Sequence, residues 1–268
     1  MSEPGDVLAD IVRNLGPVSI AVSGGVDSMT LATLAHRVAA PTATTMVHAI
    51  SPAVPPEATA RVRERAAREG WRLHVLDAGE FDDPDYRRNP VNRCFYCKQS
   101  LYSAIARRIG GTIASGTNRD DLSEYRPGLD AARRFAVRHP YVEAGIGKCG
   151  VRRLARSLGL GDVAELPASP CLSSRIETAI PIEQATLRVV HQVETLVANA
   201  LRPRTVRCRV RATGFVVELD AEALERASAD EAELRRLISG ALGSSSPSAS
   251  LSFALYRVGS AFVGAPSP

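Results

Sequence analysis

The sequence has 268 residues, enough for one large domain or two ordinary ones; 45% of them are hydrophobic and 23% are charged. This composition is typical of a globular enzyme, and no apolar run approaches the roughly 18 residues that a membrane span needs. The net charge of +4 weakly favours anionic ligands such as nucleotides, and there is no lysine-rich tail that would favour nucleic acid. The N-terminus has neither the basic start nor the apolar core of a signal peptide. We therefore expect a cytoplasmic protein without nucleic-acid or membrane partners.

The first part of the chain alternates patterns typical of strands and helices. We predict strands at residues 18–22, 44–50, 71–76, 111–115 and, as a fifth, 140–142. We predict helices at residues 6–15, 29–38, 57–69, 94–108, 129–137 and 148–158. This order predicts an α/β fold in which a parallel sheet carries helices on both faces.

The pattern changes after about Pro167. A long helical pattern at 181–201 precedes two strands at 204–210 and 215–219, a helical pattern at 221–242, a serine-rich loop at 243–250 and a last strand region at 251–263. These elements predict a small α+β C-terminal domain. We therefore expect two domains, residues 1–166 and 167–268.

A glycine-rich turn joins the first predicted strand to the following helix. It comprises Ser23, Gly24, Gly25, Val26, Asp27 and Ser28. The glycines let backbone N–H groups approach a ligand, and the helix start adds free donors and a positive dipole end. Such a turn suits a phosphate or pyrophosphate, although it lacks the Walker A pattern. Alternatively, it is an ordinary strand–helix turn in which Asp27 only satisfies local N–H groups.

Three of the five cysteines are candidates for chemistry. Five thiols are too few, and odd in number, for a secreted disulfide scaffold. Cys94 and Cys97 form a CxxC pair that fits a zinc site lacking its second pair, a redox dithiol, or two structural cysteines. Cys171 follows two prolines, and Arg175 close behind it favours a thiolate that acts as nucleophile or metal ligand. Together the three thiols would suit a [4Fe–4S] cluster with one open iron.

Three arginines alternate along the strand at 204–210 and its end. Arg207, Arg209 and Arg211 share one face, opposite Cys208. Arginine forks suit phosphate and carboxylate groups, so this face would bind an anionic substrate. Alternatively, it is a solvent-facing surface whose charges pair with Glu218 or Asp220.

Four segments, in this order, resemble the LarE family of ATP-dependent sulfur transferases, which work in nickel-pincer nucleotide cofactor synthesis. They are the hexad at 23–28, which resembles the PP-loop of ATP pyrophosphatases, NPxxRCxxCK at 89–98, GTNxDDxxxYRPG at 116–128 and PAxxCLxSRI at 167–176. The resemblance covers about residues 5–240. It implies a fold of the adenine nucleotide alpha-hydrolase type. It also implies that ATP adenylylates a carboxylate of pyridinium-3,5-dicarboxylate mononucleotide, and that sulfur then displaces AMP, in two rounds.

The resemblance also implies roles for individual residues. The hexad, Gly116 and Asn118 would bind ATP and its pyrophosphate, with Mg²⁺ near Asp27. Residues near the nucleotide substrate would be Asp121, Arg126, Ser174, Arg207 and Arg209. Cys94, Cys97 and Cys171 would hold the cluster, whose bound sulfide is transferred, with Cys171 and Arg175 at the reaction. In other members a single cysteine at the Cys171 position gives up its own sulfur, so that alternative stays open. The family further implies a sulfide or other sulfur donor and a homo-oligomer.

One segment departs from the family pattern. After Ile176 the family commonly has Pro-Tyr-Gly, whereas this chain has Glu177, Thr178 and Ala179. Because of this departure, the resemblance does not fix which substrate the protein acts on. Two other enzymatic activities compete with this one, tRNA thiolation and amide synthesis of the NAD or GMP type. The protein could also be a nucleotide-binding regulator or a cluster-bearing sensor that catalyses no reaction.

Overall fold

Four parallel strands organise the first part of the chain. The computed structural model describes residues 4–40, 42–167, 170–242 and 250–263. The strands are β1 (Val18–Ala21), β2 (Thr44–Ile50), β3 (Leu73–Asp77) and β4 (Thr112–Ser115), in the order β3-β2-β1-β4. Ile20 of β1 is in register with Met46 of β2 and Ala114 of β4. All four strands run the same way, as the alternation of strands and helices predicts.

Helices precede, connect and follow these strands in the chain. They are α1 (Pro4–Arg13), α2 (Val26–Val38), α3 (Pro56–Glu69), α4 (Pro84–Arg87), α5 (Arg93–Arg108), α6 (Gly128–Arg134), α7 (Pro140–Glu143), α8 (Lys148–Ser157) and α9 (Gly161–Ala164). Met46 and Val47 are consecutive strand residues and face opposite sides of the sheet. Met46 packs in a cluster with residues of α1, α2 and α8, and Val47 in another with residues of α5 and α6. The helices therefore flank the sheet on both faces, which confirms the predicted α/β architecture.

A second, smaller sheet follows. Its strands are β5 (Val206–Arg211), β6 (Gly214–Leu219) and β7 (Ser250–Leu255), in the order β5-β6-β7. β5 and β6 are antiparallel, whereas β6 and β7 are parallel. The helices here are α10 (Gln184–Leu201), α11 (Ala221–Ala229) and α12 (Glu231–Leu242). This mixed sheet with its helices matches the predicted α+β part.

The described residues divide into two compact units. One lies within 4–83 and 92–167, and the other within 84–91 and 170–263. The segment 84–91 thus belongs with the C-terminal elements, although it precedes them by about eighty residues. No helix in the described part of the chain is long and apolar enough to cross a membrane.

Three predictions of local structure are wrong. Residues 140–142 are not a fifth strand, because they begin α7. Arg138, two residues earlier, forms an isolated parallel bridge to Ala114 of β4. The helical pattern at 221–242 is two helices that break at Asp230. The last strand ends at Leu255 rather than continuing to 263. Most of the predicted serine-rich loop, residues 243–249, lies outside the described residues.

Candidate functional site

The glycine-rich turn is braced by its own serines. The Ser23 amide donates to Ser28 Oγ at 3.0 Å, and Ser28 Oγ donates to the Gly25 carbonyl at 3.2 Å. Gly24 has a φ of +83°, and a Cβ there would lie 2.8 Å from the Ala58 carbonyl oxygen. A side chain at Gly24 is therefore excluded both by conformation and by space. The result is a fixed loop that leads into α2 at Val26.

Asp27 lies in the first turn of α2, at the centre of a polar cluster. Lys148 Nζ lies 2.5 Å from Asp27 Oδ2, and Asn118 Nδ2 donates to Oδ1 at 3.2 Å. The buried Tyr141 hydroxyl donates to the Asp27 carbonyl at 3.0 Å. Burial, helped by the charge of Asp27, raises the pKa of Tyr141, so this donor keeps its proton. Asn118 and Lys148 thus converge on the Asp27 carboxylate, while Tyr141 holds the backbone of the same residue.

Gly116 brings the end of β4 against the hexad. A Cβ on Gly116 would lie 2.8 Å from the Ser28 amide nitrogen and 2.9 Å from the Asp27 carbonyl carbon. These are backbone atoms, so no side-chain rotation would relieve the contact. Gly116 and the hexad, both predicted to bind ATP, are therefore joined by a close backbone approach; ATP binding itself stays a prediction.

Asn118 and Asp121 form a reciprocal cap on a short 3-10 helix, Arg119–Ser123. The Asn118 amide donates to Asp121 Oδ2 at 3.0 Å, while Asn118 Oδ1 accepts from the Asp120 amide at 3.0 Å. Burial raises the pKa of Asp121, and the nearby charge of Asp27 adds to this, against the opposing effects of the Asn118 amide and Arg126. Arg126 pairs with Asp121 at 2.7 Å. The structure therefore brings Asn118 against Asp27, while Asp121 caps Asn118 and pairs with Arg126.

Lys148 and Tyr141 were not among the residues predicted for the site. Lys148 begins α8, where its amide donates to Asp120 Oδ2 at 2.8 Å. A Cβ on Gly147 would lie 2.6 Å from Asp120 Oδ1, so the Asp120 carboxylate can keep this position only with glycine before the lysine. The only signal in the sequence is a Gly-Lys pair at the start of an amphipathic helix. That signal does not identify the residue that the lysine side chain contacts.

Cys94 and Cys97 lie in the first turns of α5, and both are half-buried. Residues three apart lie on the same side of a helix, so the two thiols share one face. In neither unit, taken by itself, do the described residues gather three His, Cys, Asp or Glu side chains suited to a metal ion. Metal binding by these cysteines remains a prediction.

Cys171 is exposed and precedes the 3-10 helix Leu172–Arg175. Arg175 Nη1 donates to the Pro170 carbonyl at 2.6 Å and to the Cys171 carbonyl at 3.1 Å. The rest of its guanidinium makes two 2.9 Å bonds to Glu194. Burial disfavours this charge, but Glu194 outweighs it and raises the pKa of Arg175. Arg175 therefore fixes the backbone that presents the Cys171 thiol.

The three arginines of β5 have different environments. Arg209 is buried, pairs with Glu218 at 2.9 Å and donates to the Ser174 carbonyl at 3.0 Å. Arg211 pairs with Glu177 and Glu218. The alternative interpretation, that Glu218 is a partner, is thus correct for Arg209 and Arg211, but Arg209 is buried rather than solvent-facing.

Arg207 is half-buried, and its guanidinium carbon lies 5.9 Å from the centre of the Tyr256 ring. Burial lowers the pKa of Arg207, and the charge of Arg175 adds to this. Substrate contact by Arg207, Arg209 and Ser174 remains a prediction. Cys208 is fully buried, which raises the pKa of its thiol, as expected for a structural cysteine.

A comparison with models of known protein families finds no match. Among individual proteins, an uncharacterised protein from Synechocystis is 34% identical over 211 residues, which span 77% of this chain and 78% of that protein. The chain belongs to the same family as the Synechocystis protein.

Two more distant relatives cover a similar stretch. An uncharacterised protein from Methanocaldococcus jannaschii is 25% identical, over 76% of this chain and 77% of its own. A protein from Lactiplantibacillus plantarum is 27% identical, over 75% of this chain and 74% of its own. Its name is pyridinium-3,5-bisthiocarboxylic acid mononucleotide synthase, the activity that the resemblance to LarE enzymes implies. Three quarters of this chain are thus similar to a LarE-type enzyme.

Proposed function

We propose that this protein is an ATP-dependent sulfur transferase that converts the carboxylates of pyridinium-3,5-dicarboxylate mononucleotide to thiocarboxylates. The observation that carries the proposal is the cluster around Asp27. An acid sits in the first turn of a helix behind a braced glycine turn, with Asn118 and Lys148 against it. The name of the Lactiplantibacillus relative, which gives a bisthiocarboxylic acid mononucleotide as product, supports this choice of substrate.

The chemistry explains why ATP is needed. A carboxylate is a poor electrophile, because its negative charge repels a sulfur nucleophile. One of its oxygens attacks the α-phosphorus of ATP, the bond to the β-phosphate breaks, and pyrophosphate leaves. The acyl adenylate has lost the charge and gained a good leaving group. Sulfur then attacks the carbonyl carbon, and AMP departs with the bonding electron pair.

The hexad would bind the pyrophosphate part of ATP. The N–H groups at the start of α2 are donors, and donors at a helix N-terminus suit phosphate. The hydroxyls of Ser23 and Ser28 bond to each other, and Ser28 Oγ also donates to the Gly25 carbonyl, so they hold the turn in place. Gly25, as the residue before the helix, has no side chain to obstruct a phosphate. Adenylylation therefore rests on donors that the fold has already oriented.

The residues around Asp27 fit a magnesium ion. Mg²⁺ prefers one or two carboxylates together with substrate phosphates. Asp27 keeps a quarter of its side chain exposed, and Asn118, which donates to Asp27, is capped by the Asp121 carboxylate, so both carboxylates belong to one hydrogen-bonded network. When bound, the ion would offset the charge that develops on the departing phosphates. Asp27 would hold it, with Asn118 keeping that carboxylate oriented.

Sulfur delivery would depend on Cys94, Cys97 and Cys171. Three thiolates are the donor set that a [4Fe–4S] cluster with one open iron requires, so the residue types fit. Such a cluster would supply a bound sulfide. The alternative is that Cys171, which is exposed, gives up its own sulfur. In both cases Arg175 would keep the Cys171 backbone in place.

The direct test is an anaerobic reaction of the purified protein with ATP, Mg²⁺, sulfide and the dicarboxylate nucleotide. We expect AMP and pyrophosphate to appear only when the nucleotide is present, together with a thiocarboxylate product identified by mass spectrometry. Asp27→Asn should abolish AMP formation, whereas Asp130→Asn, at an exposed site on α6, should not. Absence of AMP from the wild-type protein would reject the proposal.

The sulfur source has a separate test. Iron and sulfide analysis of anaerobically purified protein should give about four iron atoms per chain. That iron should be lost in Cys94→Ala, Cys97→Ala and Cys171→Ala but kept in Cys149→Ala. Iron-free protein whose Cys171 loses the mass of hydrogen sulfide during turnover would instead establish the sacrificial route.

A further inference from the structure

The contact between Lys148 and Asp27 joins residues that are 121 positions apart in sequence. Lys148 Nζ lies 2.5 Å from Asp27 Oδ2, and both side chains keep part of their surface exposed, 36% and 24%. Ion pairs with this much exposure contribute little to stability. Asp27 also lies at the N-terminus of α2, where the helix dipole already favours its charge. Folding alone therefore does not explain why a lysine is held here.

Hydrogen bonds hold the backbone of Lys148 in place, which a surface ion pair does not require. Asp120 accepts the Lys148 amide at 2.8 Å, and the missing side chain of Gly147 makes room for that carboxylate. Asp120 in turn is held by the cap that Asn118 forms. Asn118 also donates to Asp27. Asn118 and Asp120 thus orient both members of the ion pair, the Asp27 carboxylate and the Lys148 backbone.

We infer that Lys148 is a phosphate-contacting residue that occupies the cation position at Asp27 until ATP and a divalent ion arrive. This inference rests on the proposed function, since it assumes that polyphosphate binds at the hexad. A lysine ammonium sits on a flexible four-carbon stem and moves easily between acceptors. Lys148 releases Asp27 to the metal and moves to a phosphate oxygen, with its backbone held by Asp120. The site then never contains an unbalanced carboxylate beside a polyphosphate.

Competition for Asp27 gives one measurable consequence. In Lys148→Met the ammonium no longer competes, so Mn²⁺, measured by electron paramagnetic resonance without nucleotide, should bind more tightly by up to about fivefold. Arg153→Met is the matched control, because Arg153 is an exposed residue of the same helix and its loss changes the net charge equally. Mn²⁺ affinity in the control should equal that of the wild type.

Contact with phosphate gives the opposite consequence for ATP. In calorimetry without any divalent ion, Lys148→Met should bind ATP at least about tenfold more weakly than the wild type, because a charge-assisted contact is lost and Asp27 repels the phosphates. Lys148→Arg should recover part of the ATP affinity. The control Arg153→Met should bind ATP as tightly as the wild type does. A purely structural lysine would not tighten metal binding while weakening ATP binding.

The outcomes separate this inference from the proposed function. Weaker or unchanged Mn²⁺ binding in Lys148→Met, or ATP binding equal to that of Arg153→Met, overturns the role of Lys148. If the wild type binds ATP but forms no AMP with the dicarboxylate nucleotide, the proposed function fails and the role of Lys148 in ATP binding stands. A wild-type protein that does not bind ATP overturns both.

Discussion

Ala179 carries a backbone conformation that suits glycine. Its φ is +71°, and its amide donates to the Asn89 carbonyl at 2.9 Å. The Asn89 side chain holds the same turn by donating to the carbonyls of Glu177 and Ile180. The left-handed region costs a residue with a side chain about 1–2 kcal/mol. Ala179 therefore carries strain that a glycine at this position would relieve.

Ala179→Gly is therefore expected to stabilise the C-terminal unit. The relief of about 1–2 kcal/mol is offset in part by the greater freedom of glycine in the unfolded chain, about 0.5–1 kcal/mol, leaving a gain of about 0.8 kcal/mol at the mid-values and at most about 1.5 kcal/mol. Hydrogen exchange of the β5 and β6 amides would measure it. Ala229→Gly, at an exposed helical position of α11, is the control and should lose up to about 1 kcal/mol. A loss of similar size in both variants would show that the turn is not strained.

The residues of the candidate site differ in how far they could be predicted. Ser23 to Ser28 and Asn118 are contiguous with recognisable turns at strand ends, so their types and spacing indicated an anion site. Lys148 reaches Asp27 across 121 residues, and nothing local to either residue encodes that contact. Similarly, the partners of Arg209 could be named as candidates, but its burial against the Ser174 carbonyl depends on a distant segment.

Among the elements, β4 depends on a glycine at its carboxyl end. Gly116 allows the chain that leaves β4 to approach the first turn of α2 more closely than any side chain would permit. The approach also brings Asn118 within reach of Asp27. One glycine thus links the packing of two elements to the geometry of the candidate site.

Gly116→Ala should damage both packing and ATP binding. The added methyl would meet backbone atoms of Asp27 and Ser28, and such overpacking typically costs about 1–3 kcal/mol. Trp71, the single tryptophan, is buried in the same unit, so urea unfolding followed by its fluorescence measures the loss. Gly161→Ala should change stability little, because no heavy atom outside its chain neighbours lies within 4 Å of the new Cβ. Equal stabilities for the two variants would contradict the proposed close approach.

The success of the element predictions follows from length and pattern. Strand β2 has the predicted bounds, because Thr44–Ile50 is a continuous β-branched and apolar run. The prediction of a strand at 140–142 failed because Tyr141 and Val142 favour strands locally. Pro140 instead begins a single helical turn, where its missing N–H costs nothing. A four-residue helix is too short for hydrophobic periodicity to reveal it.

For the molecule as a whole, buried titrating groups make stability depend on pH. Burial lowers the pKa of His48, and the charge of Arg63 adds to this against the Val22 carbonyl. Burial also lowers the pKa of His139, against the charges of Glu143 and Asp121. Each histidine therefore binds a proton more readily when the chain is unfolded. Glu80 and Asp121 act in the opposite sense at lower pH, because burial raises their pKa above 4.5 and 3.8.

Stability should fall as the solution is acidified below the ordinary histidine pKa of 6.5. Between that value and the lower pKa of the folded state, only the unfolded chain takes up the proton. Each histidine then removes up to about 1.4 kcal/mol per pH unit. His48 is the sharper probe, since it is buried and its Nδ1 and Nε2 lie 2.8 Å from the Val22 carbonyl and 2.9 Å from Thr59 Oγ1.

The variant His48→Gln isolates this contribution. It should be less stable than the wild type at pH 7.5, because it loses buried hydrogen bonds and packing. The deficit should shrink between pH 6.5 and pH 5, since glutamine takes up no proton on unfolding. Urea unfolding at several pH values, followed by Trp71 fluorescence, gives both curves. If the two curves ran parallel through this range, His48 would bind its proton equally well in both states, and the pH dependence would have to come from other groups.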